Sequence, residues 1–167
     1  MFVIQPLLVS LWLGITFLLG PPWLFPNDEL PAGPVGKTAL KQAEPNLLWS
    51  TISDRMSIVD RDPNATKLGR QILVEYPHSA WGSKDSGAQF MVKLDPATEY
   101  RCDYFVKFGE SFDFVKGGKL PGLAGGEATA GNKRPTGDGW TARYMWRAGG
   151  DAVLYFCLLY TSDAADE

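Results

Sequence analysis

The stretch AQFMVKLDPATEYRCDYFVKF, residues 88–108, decides the fold class. Successive side chains of an extended chain point to opposite faces. Ala88, Phe90, Val92 and Leu94 therefore share one face, while Gln89, Met91 and Lys93 share the other. Asp95-Pro96-Ala97-Thr98 supplies turn-forming residues. Alternation resumes over 99–108, with Tyr100, Cys102, Tyr104, Val106 and Phe108 on the apolar side. On that face Cys102 reads as a small core residue rather than a nucleophile.

The same signals continue outward. Residues 71–76 are short, rich in strand formers and ended by Pro77. Residues 140–147 and 151–156 read as a hairpin around Ala148-Gly149-Gly150. In its first strand Thr141, Arg143, Met145 and Arg147 share one face, and Trp140, Ala142, Tyr144 and Trp146 the other. A three-residue loop pairs Arg143 with Tyr155 and sets Arg147 opposite Asp151. A two-residue Gly149-Gly150 loop pairs Tyr144 with Tyr155 instead, and spacing leaves both registers open. Strand follows strand with little helical periodicity, so the expected class is all-β, an antiparallel sandwich or jelly roll.

The ends differ from this body. Residues 1–20 are apolar with no early Lys or Arg, which suits a secretory signal peptide or an N-terminal anchor. The Asn64-Ala65-Thr66 sequon agrees with export. Residues 21–45 are proline-rich and read as a linker. The last stretch, 157–167 (CLLYTSDAADE), resembles the translation of a sequencing-library transposase adapter and is set aside from fold reasoning. The expected domain is then residues 46–156, truncated at its C-terminal end. Without Asp163, Asp166 and Glu167 the formal charge of −3 becomes 0, so overall acidity supports no argument. Cys102 is left as a single thiol, and with His78 as the one histidine no His/Cys metal site is expected.

The chemistry-bearing stretch is residues 112–123, FDFVKGGKLPGL. Phe112 and Phe114 begin as an alternating strand, and the glycines then predict a short stiff loop carrying Lys119. A long glycine-rich loop over 124–139 follows, with Lys133 and Arg134 able to reach over an anionic ligand. Two nucleotide-loop resemblances fail. The GPVGKT run has Pro31 where the loop needs glycine, and the GGKL run has Leu120 where magnesium needs a hydroxyl.

FDFVKGGKLPGL, a glycine-rich loop and GWTARYMWR, in that order and spacing, resemble the alginate-lyase-like polysaccharide lyases of family 14. AQFMVKL and EYRCDYFVKF also fit that pattern, so the resemblance covers residues 46–156. It implies a β-jelly roll with a long cleft that cleaves a uronic-acid polymer by β-elimination. By the same resemblance Lys119 matches the catalytic lysine and Arg143 the substrate-binding arginine. Thr141 stands where a serine is frequent. Tyr155 matches the first tyrosine of a Tyr-x-Tyr element, whose second falls on Cys157. Tyrosine serves as acid or base when a nearby cation lowers its pKa from about 10. Gln89 and Lys93, on the polar face of their strand, are further candidates for lining the cleft. His78, after Pro77, is a weaker acid–base candidate. No cofactor or nucleic-acid partner is expected, and the chain is expected to be a secreted monomer acting on an anionic polysaccharide. Membrane association is expected only if the N-terminal segment stays as an anchor. The alternative is a non-catalytic jelly-roll module that binds anionic glycans through the same cleft.

Overall fold

Alternating apolar residues become strands wherever a neighbouring strand satisfies their backbone groups. The computed structural model describes residues 7–17, 23–26, 29–52, 54–60, 70–127 and 136–159. Its first elements are β1 (Leu7–Phe17), β2 (Trp23–Phe25), β3 (Gly33–Pro34), α1 (Lys37–Ala43) and β4 (Leu47–Thr51). There follow β5 (Met56–Val59), β6 (Gln71–Tyr76), α2 (Gly82–Asp85), β7 (Gln89–Val92) and β8 (Tyr100–Phe108). The last are β9 (Gly118–Gly126), β10 (Gly139–Trp146) and β11 (Ala152–Cys157). All described strand pairs are antiparallel and helices are few, so the protein is all-β. The chain divides into two compact units, Met1–Phe112 and Asp113–Glu167.

The first unit holds two sheets. In the larger, β8 pairs along one edge of β1, from Val9↔Phe108 to Phe17↔Tyr100. The opposite edge of β1 is shared, its first half by β6 (Leu7↔Tyr76) and its second by β2 (Leu13↔Phe25). The sheet continues from β6 to β5 and from β5 to β3. The smaller sheet is β4 with β7.

The core follows from register. Met56 is opposite Val74 and Ile58 opposite Ile72, so four apolar side chains leave one face together and are buried. On α1, Leu40 and Ala43 lie three residues apart, on one helical face, and both are buried. Phe25, Leu30, Val35, Leu47 and Ile52 complete the cluster. Burying each large aliphatic side chain contributes about 1.5–3 kcal/mol. Phe90 and Val92 pack against the cluster, as their alternation requires, and the Phe90 ring centroid is 5.0 Å from that of Phe25.

Three segments differ from their sequence-based expectation. Residues 7–17, expected within a leader or anchor, form a strand paired on both edges. An unbroken apolar run suits a strand paired on both edges as well as a membrane segment, and periodicity does not separate the two. Among the described residues no helix is long and apolar enough to cross a membrane. The proline-rich stretch 21–45, expected as a linker, instead contributes Phe25, Leu30, Val35, Leu40 and Ala43 to the core. Proline sets the backbone path but does not keep intervening apolar side chains in water. Finally, Phe112 and Phe114 lie outside any strand. Phe112 donates its N–H to the Gly109 carbonyl (2.9 Å) in a turn, and the next strand begins at Gly118.

Candidate functional site

The C-terminal unit is built on one three-stranded sheet, in the order β11-β10-β9. The connection between β10 and β11 is a 3₁₀ turn over Ala148–Gly150, closed by the Arg147 N–H donating to the Asp151 carbonyl at 2.8 Å. The three-residue loop sets the register. Arg143 lies opposite Tyr155, Thr141 opposite Cys157 and Met145 opposite Val153. Paired residues share a face, so Arg143 and Tyr155 stand side by side.

Lys119 reaches that face through a bulge. Gly122 pairs with Arg143, but Met145 pairs with Lys119, so β9 spends three steps where β10 spends two. Regular pairing would put Lys119 opposite Trp146 and on the reverse face of the sheet. The extra residue returns it to the face of Met145, Arg143 and Tyr155. Pro121 lies within the bulge, and β9 is an edge strand, where proline's missing N–H is tolerated.

Two glycines make this geometry available. A Cβ on Gly118 would come within 1.9 Å of the Trp146 ring, and one on Gly122 within 2.1 Å of the Ala142 carbonyl oxygen. Only hydrogen fits at either position. Trp146 is 5% exposed, lies over Gly118 and donates its indole N–H to the Lys116 carbonyl at 3.1 Å. It therefore grips the backbone on both sides of Gly117, immediately before Lys119. KGGK thus leads into a strand that starts at Gly118 beneath an aromatic ring, not the short stiff loop expected from its glycines.

The electrostatics of the face are mixed. Lys119 is exposed, whereas Arg143 and Tyr155 are half-buried. A side-chain hydrogen bond with Cys157 is the largest influence on Tyr155. With burial and the charge of Cys157 it raises the phenol above its ordinary 10.0, against Arg143 and Arg147, which pull it down. The outcome is opposite to the lowering that an arginine alone produces. Thr141 shares the face but is only 1% exposed, so its hydroxyl lies behind the surface that a polymer would touch. On the reverse face an open depression of about 540 Å³ is lined in part by Trp140, Phe156 and Leu158, away from Lys119 and Arg143.

Gln89 and Lys93 belong to the other unit, on and just after β7. His78 sits in an exposed turn, its Nδ1 2.8 Å from the Ser79 hydroxyl. Lys133 and Arg134 lie outside the described residues. The loop's base is described: Glu127 donates its N–H to the Asp138 carbonyl at 3.0 Å. Among the described residues no cluster of three or more His, Cys, Asp or Glu could hold a metal ion. Trp146 was not legible as a positioning residue, because its relation to Gly118 exists only once β10 pairs with β9.

A family model for polysaccharide lyase 14 matches residues 64–167, more than half of the chain, and spans all of β9, β10 and β11. No curated protein and no solved structure matches the chain.

Proposed function

The chain belongs to the polysaccharide lyase 14 family, and on that footing we propose that it cleaves a uronic-acid polymer, alginate or a glucuronan, by β-elimination. The observation that carries this reading is the common face of Lys119, Arg143 and Tyr155, created by one hairpin register and one bulge. A uronate carries its carboxylate beside the carbon that must lose a proton. Arg143 pairs with that carboxylate and stabilises the enolate-like charge that develops as the proton leaves. The C–H electron pair becomes the new C=C bond, the C–O bond to the leaving sugar breaks, and that oxygen accepts a proton. No water is consumed, so the paired carboxylates of a glycosidase have no counterpart here.

Lys119 and Tyr155 divide the two proton transfers. An ordinary phenol already keeps its proton at neutral pH, which suits Tyr155 to protonate the departing oxygen. Lys119, exposed on the same face, is the second proton-carrying group beside Arg143. A polymeric substrate too large to enter a cell supports action outside it, in keeping with secretion.

The test is direct. The protein is incubated with alginate and with glucuronan, and the ultraviolet absorbance of the unsaturated uronate is followed for wild type and Lys119→Ala. An absorbance rise that drops by roughly 10²–10⁴-fold in the variant supports the lyase and the role of Lys119. Binding of either polymer with no absorbance rise selects the non-catalytic glycan-binding module instead.

A further inference from the structure

The small sheet of the first unit has two unlike faces. Leu47 and Val92 are paired, Leu47 is buried, and Phe90 and Val92 pack on the core. The other face carries Thr51 opposite Gln89 and Trp49 opposite Met91. Lys93 extends it by one step, its N–H donating to the Asn46 carbonyl at 2.9 Å.

A bulge is again responsible. Leu47 pairs with Val92 and Trp49 with Met91, so β4 spends two steps where β7 spends one. In a regular strand Leu47 and Trp49 would share the core face. The extra residue, Leu48, is itself exposed and turns Trp49 outward, leaving the indole 45% exposed although Leu47, two residues earlier, is buried.

We propose that this face is a sugar-binding subsite, with Trp49 as the platform for a uronate ring and Lys93 as the partner of its carboxylate. The indole face is electron-rich and complements the C–H edges on one side of a pyranose. Met91, directly opposite, widens the apolar floor. Gln89 and Thr51 beside it offer hydrogen-bonding groups suited to ring hydroxyls. Exposed Lys93 is two residues from Met91 on the same face, and an ammonium there attracts a carboxylate. An aromatic flanked by amide, hydroxyl and ammonium is complementary to an anionic sugar, whose carboxylate the ammonium attracts. The inference rests on the uronic-acid polymer reading, but it names a residue, Trp49, outside the span matched by the family model.

The experiment is affinity electrophoresis of the full chain in gels containing alginate or glucuronan, in a Lys119→Ala background so that the matrix is not cleaved. Trp49→Ala, Trp49→Phe and Lys93→Gln are compared, with each variant's melting temperature measured alongside. Trp49→Ala should weaken retardation about tenfold while Trp49→Phe, which keeps an aromatic face, stays near the parent. Lys93→Gln should weaken retardation and flatten its salt dependence. If Trp49→Ala fails to fold, Trp49→Phe and Lys93→Gln decide. Equal retardation of parent, Trp49→Ala and Lys93→Gln overturns the subsite and leaves the polymer reading standing. A parent that no uronate gel retards overturns both.

Discussion

The two units make their closest contacts in contrasting ways. In Met1–Phe112 the contacts are between bulky apolar side chains: Ile58, Ile72, Met56 and Leu40 are buried together, and many residues share the load. In the C-terminal sheet the intimate contacts are made by removing side chains, with Trp146 over Gly118 and Arg143 beside Gly122. A core of interchangeable aliphatic residues tolerates change by repacking. A ring resting on a glycine hydrogen has no such slack. The difference teaches where positional accuracy is built, because Lys119 directly follows the glycine held by Trp146.

Stability changes should separate the two designs. Ile72→Ala leaves a cavity in the packed cluster and is expected to cost about 2–5 kcal/mol in denaturant unfolding. A cost below about 1 kcal/mol would break the comparison on the core side. Gly118→Ala is expected to cost less stability, about 1–3 kcal/mol from overpacking against Trp146. Its loss of lyase activity should be out of proportion to that, because the start of β9 must shift and Lys119 with it. A Gly118→Ala enzyme with wild-type turnover would show that the ring-on-glycine contact does not position the lysine.

The smallest effect is a pH dependence. Burial pushes the Tyr76 phenol up to about 12 from 10.0, so above pH 10 the unfolded chain has shed a proton that the folded chain retains. The contribution of this burial is fully present below pH 10 and is lost as pH rises toward 12. Tyr76→Phe should flatten the alkaline fall of the melting temperature relative to wild type. An unchanged alkaline slope would place that sensitivity elsewhere.

Much of the fold is legible from local pattern. The strand Gln71–Tyr76 has the bounds expected of it, and β8 and β10 match theirs to within a residue. The faces of β7 are those its alternation predicts, with Phe90 and Val92 on the core. The Arg143–Tyr155 pairing follows from the longer of two loops that the sequence allowed. What escaped was of two kinds. Prolines around 21–45 suggested an irregular tether, yet irregular backbone buries Leu30 and Val35 as well as a strand would. Glycines around Gly118 suggested a loop, because glycine serves both free turns and close approach, and sequence does not say which.

Alternation, turn residues and the KGGKLPGL and GWTARYMWR motifs were sufficient to establish an all-β chain of the polysaccharide lyase 14 family and to nominate Lys119, Arg143 and Tyr155. Which face each residue occupies came from pairing between strands distant in sequence. A one-residue bulge carries Lys119 onto the face of Arg143, and another carries Trp49 off the core. A strand's side chains repeat every two residues, so a single unpaired residue reverses everything beyond it, and that residue is defined only by the partner strand.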